Sequence, residues 1–204
     1  LSDDYPSIIP NLKLTVASSR SGKRLDELVE HLRYRCPDVY GLYGDVTQPD
    51  DCEKIVLDAI KYQGDIDALV CVAGASGPSK LENLPLEQWE LTFQLNVRSV
   101  WLIAKAAFSS LKNTKGSITA IASMSGLHPH PGYGAYSPAK AALIMLCRQL
   151  AQEWGEFGIR TNTVCPGMIR TPLTEAVYLD ESIKQKRESL VPLHRIGQPE
   201  DIGE

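Results

Sequence analysis

The stretch Ala68-Leu69-Val70-Cys71-Val72-Ala73-Gly74 decides the fold: six uncharged, mostly apolar residues in a row, then a glycine. A run of that length, rich in Val and Leu and without polar alternation, reads as a buried strand of a parallel sheet. Upstream of it, Thr47-Gln48-Pro49-Asp50 is a helix-start signal with proline inside the first turn, and Cys52, Ile55, Val56, Ala59 and Ile60 then recur on one helical face. Further upstream, residues 12–17 form another strand-like run, followed by Leu25, Leu28, Val29 and Leu32 at helical spacing. Downstream come a helical pattern over 89–111, a strand over 117–122, a second long helix over 138–157 and a strand over 161–165. Strand and helix alternating along a whole chain predict an α/β, doubly wound parallel sheet, which binds ligands at the carboxyl ends of its strands.

Composition narrows the function. With 204 residues, 43% hydrophobic and 23% charged, the chain reads as one domain over 1–204 that can bury one core. A formal net charge of -4 offers no basic stripe, which argues against nucleic-acid partners. The longest nearly apolar stretches, such as 141–147, fall far short of a membrane span, and the amino terminus lacks a signal-peptide pattern, so the expectation is a soluble, cytoplasmic protein. Five cysteines without C-x-x-C spacing, mostly inside apolar runs, fit a reducing compartment. His128-Pro129-His130-Pro131 has metal-like spacing, yet no third ligand accompanies it, so no metal is expected. Its place after Ser123 makes Ser125, His128 and Tyr133 candidates for lining a substrate pocket.

The chemistry is carried by Gly134-Ala135-Tyr136-Ser137-Pro138-Ala139-Lys140, with Ser123 upstream. A phenol donates a proton usefully near neutral pH when a nearby cation favours its ionised form, and a lysine one helical turn away supplies that cation. The three side chains suit proton transfer to or from a carbonyl or hydroxyl. Singly, such residues have ordinary readings: an amphipathic surface tyrosine, a turn-forming serine and, for Asn96 within a helix, a solvated or locally bonded side chain.

Together with Leu95-Asn96-Val97, Gly44-Asp45-Val46-Thr47, Val70-Cys71-Val72-Ala73-Gly74, Pro166-Gly167-Met168-Ile169-Arg170-Thr171 and Gly197-Gln198-Pro199-Glu200-Asp201-Ile202, these residues resemble the short-chain dehydrogenase/reductase family over almost the whole chain. The resemblance implies a Rossmann-like sheet and a catalytic tetrad of Asn96, Ser123, Tyr136 and Lys140. Tyr136 would be the general acid in ketone reduction and the general base in alcohol oxidation. Lys140 would lower its pKa and hold the nicotinamide ribose, Ser123 would orient the substrate oxygen, and Asn96 would help hold a proton-relaying water. Cofactor contacts would come from Asp45 and Val46 at the adenine, from Ala73, Gly74, Tyr136 and Lys140, and from Pro166, Gly167, Ile169 and Thr171 on the nicotinamide side. Ser19 and Arg20 stand at the end of the first strand, where an acid would repel a 2'-phosphate, so they resemble the NADP(H)-preferring members. The reading is an NADP(H)-dependent oxidoreductase acting on a small ketone or secondary alcohol, assembled as a homodimer or homotetramer.

Two departures qualify the resemblance. The family's glycine-rich turn, Thr-Gly-x-x-x-Gly-x-Gly, and its preceding strand are not found upstream of residue 12, and a last strand is not found after residue 201. The expectation is therefore a domain incomplete at both ends, with an unpaired gap between the strands at 12–17 and 68–73. Val72 stands where an asparagine usually precedes Ala-Gly. The absent turn leaves open a non-catalytic relative that serves as a binding or assembly module, and the two long helices leave open a purely structural role in association.

Overall fold

The computed structural model describes residues 13–18, 22–34, 36–172 and 174–203. Strand β1 (Leu14–Ser18) is followed by helix α1 (Gly22–Arg33), β2 (Val39–Tyr43), α2 (Pro49–Gln63) and β3 (Ala68–Cys71). Next come α3 (Leu86–Phe93), a π-helical turn (Gln94–Arg98), α4 (Ser99–Thr114) and β4 (Ser117–Ile121). Helix α5 (Tyr136–Trp154), β5 (Arg160–Val164), α6 (Glu175–Tyr178), α7 (Glu181–Glu188) and α8 (Glu200–Gly203) complete the order. Every strand pairs in parallel, as strands joined by helical crossovers do. The fold is the expected Rossmann-like α/β architecture.

Two ladders carry it. β1 pairs with β2, and β4 lies between β3 and β5, while no ladder joins β1 to β3 among the described residues. The strand that decides the fold is less buried than its sequence predicts. Leu69 and Cys71 pack on the cores, whereas Val70 is 59% and Val72 66% exposed on the other side. β4 is the better buried strand, with Ile118 and Ala120 fully enclosed. Around it α4 and α5 supply Ala104, Ala107, Leu111 and Leu150 to one cluster and Val100, Leu143, Ile144 and Cys147 to another. Each large aliphatic side chain enclosed this way contributes about 1.5–3 kcal/mol of transfer free energy.

The pattern over 89–111 resolves into α3, the π turn and α4 end to end. Around the π turn three side chains bond a carbonyl four residues back: Thr92 Oγ1 donates to Gln88 O at 2.7 Å, Asn96 Nδ2 to Thr92 O at 2.9 Å, and Ser99 Oγ to Leu95 O at 2.7 Å. Side chains that compete for the backbone ladder accompany its widening to the π form here. The long helix after β4 begins at Tyr136, earlier than the sequence pattern indicates, and Pro138 sits in its first turn, where a missing amide has no consequence. Tyr136 is therefore anchored on a helix and not in a loop.

Candidate active site

Ser123, Asp45, Gly74 and Pro166 all follow the carboxyl ends of parallel strands, β4, β2, β3 and β5 in turn. Ser123 is extended and caps a short 3₁₀ turn, Met124–Gly126, its Oγ accepting from the Ser125 amide at 3.1 Å. Ser125 is buried, so it supports Ser123 from behind, while His128 is exposed and Tyr133 half-buried. The Met124 amide donates to Pro166 O at 2.9 Å, which ties the serine turn to the segment after β5. The loop carrying Tyr133 is fixed by a bridge to Ser79, with Gly132 and Gly134 at φ of 83° and 52°, a region that favours glycine. The Tyr133 ring lies 6.2 Å from that of Tyr136, and the His130 ring 5.8 Å from that of Tyr133.

Lys140 follows Tyr136 by one turn of α5 and is 3% exposed. Its Nζ donates to Ile121 O, the last carbonyl of β4, at 2.8 Å, and lies 5.6 Å from the Tyr136 ring centroid. Burial pulls the Lys140 amine down to about 8, slightly countered by Cys165. The phenol departs from the sequence expectation. Burial raises the Tyr136 pKa, a hydrogen bond with Ser123 works against that rise, and the anticipated lowering by Lys140 is not found. The reason is geometric: the amine faces the β4 carbonyl, and its own burial disfavours its charge.

Asn96 occupies the π turn with no exposed surface. Its Nδ2 is held by Ala75 O at 3.0 Å and Thr92 O at 2.9 Å, which fixes the amide and leaves Oδ1 buried without a partner among the described residues. A Cβ on Gly74 would fall 2.8 Å from that Oδ1 and 3.3 Å from Lys140 Nζ, so the acceptor and the amine face one bare Cα. An orphaned acceptor beside an amine with unused hydrogens is the kind of buried polar site that a water or a ligand hydroxyl satisfies. The structure thus brings Asn96, Ser123, Tyr136, Lys140 and Gly74 together. The carbonyls of Ile121, Ala75 and Thr92, which aim the two polar side chains, carry no sequence signal.

Of the remaining predicted residues, those described follow the carboxyl ends of the same strands. Asp45 is exposed and accepts from the Thr47 amide at 2.9 Å, closing a turn, while Val46 is buried in a cluster with Cys52 and Ile55. Ala73 and Gly167 are exposed, and Pro166 and Thr171 half-buried. Ile169 bridges Gly197. Ser19 and Arg20 lie outside the described residues. No group of three His, Cys, Asp or Glu among the described residues could hold a metal ion, and no described helix is long and apolar enough to cross a membrane.

The sequence model described as enoyl-(acyl carrier protein) reductase matches residues 11–204. The chain belongs to the short-chain dehydrogenase/reductase family. It is 32% identical over 189 residues to dehydrogenase/reductase SDR family member 4 of Pongo abelii, covering 91% of this chain and 68% of the relative. It is 34% identical over 191 residues to glucose 1-dehydrogenase of Gluconobacter oxydans (strain 621H), covering 90% and 71%. A solved short-chain type dehydrogenase/reductase from Mycobacterium ulcerans superposes with a TM-score of 0.86 at 26% identity, covering 92% of this chain and 70% of that one. Members of the family are oxidoreductases that use nicotinamide cofactors. The donor set here fits such a group: Lys140 keeps hydrogens for ribose hydroxyls, and the bare Gly74 leaves room beside it.

The buried amine has a consequence independent of turnover. Between the folded value of about 8 and the ordinary lysine value of 10.5 the unfolded chain binds the Lys140 proton and the folded chain does not, so this residue makes stability rise with pH across that window and penalises it below. Denaturant midpoints measured from pH 8 upward should therefore climb in the parent relative to Lys140→Met. A constant difference between the two proteins across that window would show that the amine titrates normally.

Proposed function

We propose that the chain is an NADP(H)-dependent oxidoreductase that interconverts a small ketone and a secondary alcohol, with Tyr136 as general acid in reduction and general base in oxidation. The observation that supports this most is the cluster of half-buried Ser123 and Tyr136 with buried Lys140 and Asn96 at the carboxyl ends of β3 and β4. Bound nicotinamide supplies the hydride; the protein's residues supply position and a proton. Ser123, held by the Ser125 amide, orients the substrate oxygen toward the phenol. Burial keeps the phenol protonated at neutral pH, which suits proton donation to the oxygen of a ketone.

Lys140 holds the ribose hydroxyls and, through a water bound at Asn96 Oδ1, links the phenol to a proton source. Pro166, Gly167, Ile169 and Thr171 receive the nicotinamide side, and Ala73, Gly74, Asp45 and Val46 the rest of the nucleotide. His128 and Tyr133 line the substrate side, with Ser125 packed behind Ser123. Assembly as a homodimer or homotetramer and a cytoplasmic setting complete the reading.

Tyr136→Phe removes one hydroxyl from a packed site. With NADPH and a ketone substrate the variant should lose about a hundredfold to ten-thousandfold in kcat, with its thermal midpoint kept. Turnover comparable to the parent would eliminate the phenol as the proton carrier.

The nucleotide preference rests on Ser19 and Arg20, donors placed where an acid would otherwise meet the adenosine ribose. NADPH should bind more tightly than NADH by at most about 1.5–3 kcal/mol, the worth of a hydrogen bond to a charged group. Arg20→Asp should erase or reverse that order in direct titration. Equal affinities in the parent would make Arg20 an ordinary surface residue.

A further inference from the structure

The segment after β5 holds a second feature that the tetrad does not use. A cavity of about 220 Å³ is lined by Arg170, Tyr178, Lys184, Glu188, Arg195 and Gln198, none of them a member of the tetrad. Three of the lining residues are cations and one, Glu188, is a carboxylate. Two of the cations are paired with carboxylates of this chain. Arg170 Nε and Nη2 donate to Glu175 at 2.9 and 2.6 Å, and Arg195 Nη1 and Nη2 donate to Asp201 at 2.6 Å each.

A guanidinium has five N–H donors, so each fork leaves others unspent: Arg170 retains Nη1 and Arg195 retains Nε among the described residues. Lys184 is freer still, its contacts being two distant ones to Glu181 at 3.4 Å. Tyr178, buried at 4% exposure, receives a long bond from Arg187 Nη1 at 3.4 Å and has its own hydroxyl hydrogen to give. Donors therefore outnumber acceptors around a space that can take a small molecule. A planar or tetrahedral group with several acceptor oxygens matches such a set, because pre-organised guanidinium edges and an ammonium recognise it with charge-assisted bonds.

We infer that this cavity is an anion-binding site, separate from the tetrad, that takes a small oxyanion, a carboxylate or a phosphate, on Lys184, Arg195 and Arg170. Glu188 is the one lining group that opposes the anion, one helical turn from Lys184 on α7. It gives the test its sign. Neither Lys184 nor Glu188 belongs to the core, so their neutral variants should fold as the parent does.

The experiment is isothermal titration of the full chain with inorganic phosphate and, separately, with acetate, at ionic strength held constant with sodium chloride. Saturable binding is expected, tighter for phosphate if a dianion is the ligand and tighter for acetate if a carboxylate is. Lys184→Gln should weaken it by about threefold to tenfold, the range for one partly exposed charge contact, and Glu188→Gln should strengthen it by a similar factor. A general loss of structure would move both variants the same way. Absence of saturable heat with both anions in the parent, unchanged affinity in the two variants, or weaker binding in Glu188→Gln would each overturn the assignment.

Discussion

One hydrogen bond organises the site: the Lys140 ammonium, almost wholly enclosed, donates to the last carbonyl of β4. A buried amine is tolerated only with partners, and this one is given a backbone acceptor whose position is fixed by a fully paired central strand. The bond sets the height of α5 against β4. It thereby sets the place of Tyr136, one turn earlier on the same helix, and of Ser123, two residues beyond the accepting carbonyl.

The rest of the site is arranged around that anchor. Asn96 reaches it from the π turn, its amide clamped by two carbonyls so that its oxygen faces Gly74 and the amine. Gly126 matters on the other flank, because a Cβ there would lie 2.7 Å from the Lys140 carbonyl carbon and 2.8 Å from its oxygen, so the serine turn can rest directly on α5. Burial then acts on both titrating groups in opposite senses. It lowers the amine and raises the phenol, favouring the neutral form of each.

Much of this was legible in the residues. Alternating apolar runs and helical faces located β1, β3, β4 and β5 to within a residue or two, since short Val-rich and Ile-rich segments have few other uses. β2 carries no such signal, because Tyr40, Gly41 and Tyr43 break the apolar run. That Asn96, Ser123, Tyr136 and Lys140 share one site was readable because such residues are rare in combination. What the sequence could not supply was direction. Nothing in a Tyr-x-x-x-Lys spacing reveals that the amine turns to Ile121 O, so the inferred lowering of the phenol did not survive. The π turn likewise depends on which carbonyl the Asn96 amide captures, and the half-exposed face of β3 on what lies beside it, both non-local facts.

The central claim is that substrate and nicotinamide exchange a hydride directly while Tyr136 moves the proton. The most direct measurement uses a secondary alcohol deuterated at the carbinol carbon, oxidised by the protein with NADP⁺, with the label traced by mass spectrometry. The account predicts deuterium on the nicotinamide ring of the reduced nucleotide. Deuterium released to water, or a ketone formed without label in the nucleotide, would contradict it.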